Sequence, residues 1–310
     1  MDYLQKLRNK SDKKMIAFIL DTLIWIALYS ILSLSLSIEY GFTGIINFGK
    51  ALFFMIGAYV SAIVTLSGLN YFIGLLFAIL FSALIGLILS IPMIKIREDY
   101  FAIVTLALNE CFRIILKNEY WIAGGPIGLK NIPSAFPLKN LSYEIFLLLN
   151  LLLIIGILLS FYSILRIIIN SPYGRILRAI REDELLTQTL GKNTFKYKTQ
   201  AFAIGSAMAG AAGSFLSQYI GYVSTDLFLS TTTFTIWIMC IIGGPSNING
   251  AIIGALFMRG IERGTRILKD YVNIPIDPNN FMFIITGILM VLFIMYKPEG
   301  ILKEKRMRIE

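Results

Sequence analysis

Histidine is missing altogether from the chain. That excludes His-dependent catalysis and His-ligated metal sites. Cysteine is nearly absent: Cys111 and Cys240 both sit inside apolar runs, where a lone thiol behaves as a small buried apolar residue. They say nothing about redox compartment. No cluster of carboxylates, cysteines or Ser/His pairs points to hydrolysis or metal chemistry, so neither a catalytic residue nor a metal site is expected. There is no G-x-x-x-x-G-K-[ST] loop, and "LGKNT" (190–194) has only a passing likeness to one, so the chain should not bind ATP itself. Charge is scarce too, at 15% of 310 residues against 56% hydrophobic.

The hydrophobic residues come in long runs. A stretch of about 18 or more with few charges is a candidate spanning helix. Met15–Ser37, Gly57–Leu66 with its upstream extension, Tyr71–Ile94, Tyr100–Leu116, Leu141–Ile169, Gln200–Ile220, Phe228–Met258 and Phe281–Tyr296 qualify or nearly so. They leave no room for a separate soluble domain. The expected fold is all-α: one polytopic integral membrane domain over 1–310, with about 8–10 membrane helices. The first run is too long for a signal-peptide core and is read as a retained span.

The formal charge is +9, but the basic residues gather between membrane segments, which argues against nucleic acid. Lys6, Arg8, Lys10, Lys13 and Lys14 predict a cytoplasmic amino terminus. The loop at about 170–199, with Arg175, Arg178, Arg181, Lys192, Lys196 and Lys198, is predicted on the same side. So is the tail with Lys297, Lys303, Lys305, Arg306 and Arg308. Placing "KIRED" (95–99) inside as well then requires a broken or re-entrant segment at "GFTGIINFGKALFFMIGAY", where Asn47 and Lys50 interrupt apolar sequence. A second break is expected at "IIGGPSNINGAIIGALF", around Gly243 and Gly244. One interrupted segment in each half points to an internal repeat with a transport site between. Arg259, Arg263, Arg266 and Lys269 would then fall outside, against the charge rule.

Four stretches carry candidate function. In "SPYGRILRAIREDELLTQTLG" (171–191), Ser171 can cap a helix that begins at Pro172, and Ile176, Leu177 and Ile180 form one apolar face. Asp183 and Glu184 favour a second helical start, and Gly191 is a natural stop. The element is either a basic loop on lipid headgroups or a docking surface. In "YFAIVTLALNECFR", Glu110 and Arg113 share a helix face and can neutralise each other, as a structural pair or as the polar wall of a conduit. "WIAGGPIGLKNIPSAFP" (121–137), with Gly124, Gly125, Pro126 and Gly128, is a rigid external turn, either a cover or a partner surface. "GSAMAGAAGSFLS" lets another helix approach closely.

Together, "YFAIVTLALNECFRIILKN…GGPIGLKNIP", "SPYGRILRAIREDELLTQTLGKNTFKYKTQAFAIGSAMAGAAG", "GGPSNINGAIIGA" and "KPEGIL" resemble, in order and from about 30 to 302, the M-type permease subunits of branched-chain amino-acid ABC importers. The resemblance implies a transmembrane permease for leucine, isoleucine or valine. Its implied partners are separate ATP-binding subunits, a sister permease and an extracytoplasmic substrate-binding protein. It implies multi-pass insertion in the cell membrane and no cofactor of its own, ATP being held by the partner subunits. Arg175, Arg178, Arg181, Glu184 and Gly191 become the ATPase-coupling residues. Asn47, Lys50, Glu110, Gly243 and Gly244 become the translocation path, and Gly124, Gly125, Pro126 and Gly128 the binding-protein loop. Two departures stand out: Lys50 replaces a neutral or weakly polar residue after "INFG", and "GGPSNING" replaces a Gly-Gly-Leu-Gly start. A urea or other small-solute importer shares the architecture, and a secondary transporter is the rival from another class.

Overall fold

The computed structural model describes residues 2–94, 96–136, 142–271, 287–288, 291–293, 295–297 and 299–303. Side chains at 2–13, 93–94, 98 and 265–271 are outside that description. Lys95, Phe281, Lys305, Arg306 and Arg308 also lie outside the described residues, as do the side chains of Lys6, Arg8, Lys10, Lys13, Arg266 and Lys269.

The apolar runs up to residue 258 become helices, because only a helix satisfies every backbone group internally where water is absent; most of Phe281–Tyr296 lies outside the described residues. The long helices are α1 (Asp2–Leu36), α2 (Lys50–Leu66), α3 (Tyr71–Ser90), α4 (Glu98–Asn118), α6 (Tyr143–Asn170), α9 (Thr194–Ile220), α10 (Ser230–Gly243) and α11 (Ile248–Tyr271). The short ones are α5 (Tyr120–Ala123), α7 (Pro172–Glu182) and α8 (Glu184–Thr189). A π-helical turn, Ser37–Gly41, extends α1. Among the described residues, 4 stretches are long and apolar enough to cross a membrane: Lys14–Gly41, Tyr71–Ser90, Tyr143–Asn170 and Thr225–Gly243. Lys50–Leu66 is a shorter apolar helix.

α9 is the hub, and small residues make it so. Gly57 of α2 packs so closely on α9 that a Cβ there would lie 2.1 Å from the Gly210 carbonyl oxygen. A Cβ on Gly213 would lie 2.0 Å from the Phe54 oxygen. On α3 the buried residues are Tyr71, Gly74, Ala78, Ser82, Gly86 and Ser90, five of them small and one turn apart, while Phe72, Leu76, Leu80 and Leu84 are exposed. This is the membrane pattern: small residues at the helix contact, large apolar ones facing outward to lipid.

Contacts along α9 fix the direction of the chain. Its start follows α8, and its end adjoins the two-stranded ribbon β1 (Leu129–Lys130) and β2 (Tyr222–Val223). Residues 171–191 and the 124–130 loop therefore stand at opposite ends, roughly 40 Å apart by helical rise. α2 runs parallel to α9, with Ser61 and Ser214 hydrogen-bonded at 2.8 Å. α3 returns antiparallel, with Ser90 and Thr199 at 3.2 Å. Residues 96–97 are thus at the 171–191 end.

α1 runs opposite to the expectation from its basic start. The Tyr219 hydroxyl, at the far end of α9, donates to Asp21 at 2.5 Å, and Arg263 pairs with the same carboxylate. Gly41, at the other end of α1, contacts Arg181. Lys14–Asp21 therefore lies at the end opposite residues 171–191, whereas residues 299–303, through Leu302 on Gly243, lie at the same end. The first interruption is a real break: after Gly41 the chain is non-helical from Gly44 to Gly49 and re-enters a helix at Lys50. No re-entrant half-crossing is needed to bring residues 96–97 to the 171–191 end, because α1 itself runs the other way.

The second break, residues 244–247, is a turn that returns α11 antiparallel along α10; a Cβ on Gly254 would lie 1.9 Å from the Met239 oxygen. Two of the α11 cations that strained the charge rule, Arg259 and Arg263, are compensated. Arg259 pairs with Glu262 and lies 3.4 Å from the Tyr29 ring centroid, and Arg263 pairs with Asp21.

Candidate functional site

The first break carries a charge cluster sealed from solvent. Lys50, Asn47 and Glu39 are each 0% exposed. Lys50 Nζ meets Glu39 Oε1 at 2.6 Å and the Ser35 carbonyl at 3.3 Å. Asn47 donates to Glu39 Oε2 at 2.9 Å, and its side-chain oxygen accepts from the Gly49 N–H at 2.8 Å. Its own carbonyl accepts from the Trp237 indole N–H at 2.8 Å. Glu39 was not singled out from the sequence. The available signal was an acid eleven residues before an intramembrane lysine; the intervening π turn and break hide that spacing. Glu39 also touches α9, where a Cβ on Gly205 would lie 2.1 Å from Oε1. A buried charge is tolerable only with a partner, so the two interruptions of the apolar pattern explain each other.

Glu110 is brought into a different group. It accepts from Ser230 at 2.6 Å and from Arg113 Nε at 2.8 Å. Arg113 and Lys117 both face Asp226, at 3.8 and 3.7 Å. This half-exposed network closes the end of the bundle that carries the 124–130 loop. Gly243 and Gly244 form a third group. Ile301 N–H donates to the Ile242 carbonyl at 2.8 Å, and Leu302 N–H to Gly243 at 3.1 Å. Gly244 has φ +110, and a Cβ there would lie 2.2 Å from the Leu302 oxygen. The five path candidates are thus spread over three groups: Asn47 and Lys50 joined through Glu39, Glu110 alone, and the adjacent Gly243 and Gly244.

Residues 171–191 form two short helices, as the spacing predicts. Asp183 caps α8, accepting from the Leu186 N–H at 2.9 Å. Gly191 ends it with φ +78. Ser171 is at the N-cap position of α7, but its hydroxyl donates back to the Ile168 carbonyl at 2.6 Å instead of capping. Leu177 and Ile180 are buried, whereas Ile176 is half-buried. Burial holds the Tyr173 phenol up at about 12. Arg175 is exposed, and Glu184 pairs with Lys198 at 2.6 Å. Arg178 lies 5.3 Å from the Phe42 ring centroid, and Arg181 reaches Gly41 and Ser246. On the outer side, Leu185 (72%), Leu186 (57%) and Leu190 (73%) are exposed.

The glycine-rich loop is rigid. Gly124, Gly125 and Gly128 all have positive φ, at 69°, 62° and 72°. Pro126 lies in the single 3-10 turn Gly125–Ile127. β1 then pairs antiparallel with β2, and the Gln218 side chain accepts from Ser134 and from the Ala135 N–H, both at 3.1 Å. Tyr120 and Trp121 of α5, just before it, and Ile127 within it are 67%, 83% and 57% exposed. Among the described residues no group of three metal-type ligands occurs.

Comparison with known proteins gives the same reading across most of the chain. The family description "Branched-chain amino acid transport system / permease component" matches residues 18–294. A Methanocaldococcus jannaschii protein described as a probable branched-chain amino acid transport permease, LivM, is 30% identical over 322 residues, 91% of this chain and 92% of its own. The high-affinity LivM permease protein of Escherichia coli is 30% identical over 306 residues, 91% of this chain and 69% of its own. The M. jannaschii LivH permease is 26% identical over 294 residues, 90% of each. No solved structure matches the chain. A membrane-embedded helical bundle with two broken segments, matched from 18 to 294, belongs to the branched-chain amino acid transport system permease family.

Proposed function

We propose that this chain is the M-type permease of an ABC importer for leucine, isoleucine and valine, and that residues 171–191 dock on a separate ATP-binding subunit. The observation that carries the docking is the outer face of α8. Three leucines stand exposed on an element whose second helix is capped by Asp183 and whose first buries Leu177 and Ile180. A headgroup-bound loop would call for basic residues on that face, but Arg178 and Arg181 are turned into the bundle and the exposed Arg175 and Lys192 lie off α8. The exposed Tyr120 and Trp121 of α5 and Ile127 on the adjoining rigid turn support a landing surface for a substrate-binding protein at the opposite end. Residues 171–191 then face the cytoplasm of a cell-membrane protein, along with 299–303, and the start of α1 faces outward. The likeness to both LivM and LivH supports pairing with a homologous sister permease. ATP belongs to the partner subunits.

Leu190→Asp should reduce co-purification of the ATP-binding subunits at least about fivefold, because a charge replaces an apolar contact. Unchanged co-purification would return the element to the lipid surface. Uptake of labelled leucine, competed by isoleucine and valine but not by urea, tests the substrate.

A further inference from the structure

Arg181 lies where three parts of the chain meet. One is its own helix, α7. The second is the end of the first span: Gly41 closes the π turn, and its carbonyl accepts from Arg181 NH1 at 2.6 Å. The third is the turn between α10 and α11, where the same NH1 donates to Ser246 Oγ at 2.5 Å. Ser246 in turn donates to the Gly41 carbonyl at 3.0 Å, closing a triangle. Beside it, the Ser37 hydroxyl donates to the Pro245 carbonyl at 2.6 Å. The backbones of the two breaks touch there: a Cβ on Gly41 would lie 1.8 Å from the Pro245 oxygen. One turn earlier on α7, Arg178 covers Phe42.

We infer that Arg181 is a positioning residue that ties both broken segments to the 171–191 element, so that displacement of this element parts the join between Gly41 and Ser246. Breaks in a membrane span need a substitute for their missing backbone partners. Here a cation supplies it, and the cation belongs to neither broken segment. Charge-assisted bonds of this length are roughly twice as strong as neutral ones. A movement of α7 therefore pulls on both segments at once, whereas a neutral packing contact would let them slip. Gly44 follows at once, its Cβ position 3.6 Å from Arg181 Cγ, so the non-helical 44–49 stretch that leads to Asn47 and Lys50 moves with the join.

The inference rests on the proposed docking of 171–191, and the two fail in different ways. The assay is the complete importer in liposomes, reading labelled leucine imported per ATP hydrolysed. Arg181→Gln and Ser246→Ala should each lower that ratio, Arg181→Gln by about tenfold, the loss expected for one charge-assisted contact. The double variant should be no worse than Arg181→Gln, since both remove the same tie. A wild-type ratio in both single variants overturns the tie. So does a fall of uptake and hydrolysis in proportion, which a merely structural residue would give, and so do additive losses in the double variant. Should Arg181→Gln not fold, Ser246→Ala decides by the same ratio. Failure of the docking reading is read separately, in the Leu190→Asp co-purification.

Discussion

Replacing Lys50 with methionine should destabilise the protein far more than replacing Lys50 and Glu39 together. Both side chains are fully buried, and the lysine is the carboxylate's charged partner at 2.6 Å. After Lys50→Met, Glu39 retains the Asn47 amide but lies unneutralised against the α9 backbone at Gly205. Breaking a buried pair from one side costs about 3–5 kcal/mol, whereas replacing both members by neutral groups of similar size is close to neutral or stabilising. Lys50→Met/Glu39→Gln should therefore recover most of the loss, since glutamine can still accept from Asn47. Unfolding in mixed micelles with rising SDS, followed by circular dichroism, measures this. Fluorescence adds a local probe: Trp237 is 4.9 Å from the Phe48 ring and bonded to the Asn47 carbonyl. If Lys50→Met unfolds at the wild-type SDS fraction, the sealed pair is not what holds the first break, and the reasoning fails.

Three further outcomes are expected. Gly57→Val drives a side chain into the Gly210 carbonyl, 2.1 Å from the Cβ position; it should split the α2–α9 contact and lower the yield of folded protein in detergent, whereas Gly156→Val, with nothing within 4 Å, should not. Gly191→Val meets nothing within 4 Å but must hold φ +78, a backbone cost of about 1–2 kcal/mol; membrane insertion should be intact, and leucine-stimulated ATP hydrolysis should fall. With an impermeant thiol reagent on intact cells expressing the chain with Cys111 and Cys240 changed to serine, Lys14→Cys should label and Lys303→Cys should not; the opposite pattern refutes the direction assigned to α1.

The sequence made the helical runs, both breaks and the paired short helices at 171–191 legible, because each has a local cause: apolar length, glycine and proline clusters, Asp183 before a helical turn. What it hid depends on contacts between distant segments. The partner of Lys50 was hidden because Glu39 lies across a π turn and a break, where simple helical spacing does not reach. Gly243 and Gly244 looked like an open bend, but the 299–302 backbone packs against them. The small residues at 74, 78, 82, 86 and 90 were visible as a one-turn repeat, yet Tyr71–Ile94 reads first as a plain apolar run. Arg181 shared the docking face with Arg175 on charge alone; only the packed structure separates an exposed guanidinium from one turned inward.

The direction of α1 shows what charge counting can and cannot settle. The rule concerns lysines and arginines left to interact with the membrane surface. Within the bundle, Lys50 is balanced by Glu39, Arg113 by Glu110, Arg259 by Glu262 and Arg263 by Asp21. Removing those pairs from the count leaves chiefly, among the described residues, the basic 171–199 loop and the basic residues at 297 and 303, which share one end of the molecule, with Lys130 at the other. Arg259 and Arg263, which seemed to oppose the rule, were never part of its domain. The amino-terminal lysines still conflict with the rule, and here three contacts outweigh a composition bias. Asp21 is held by Tyr219 and Arg263 at one end of the bundle, and Gly41 by Arg181 at the other. Reversing α1 would break all three and leave Asp21 and Arg263 without each other inside the membrane. Each uncompensated charge there costs several kcal/mol, whereas a juxtamembrane lysine contributes about 1 kcal/mol at the surface.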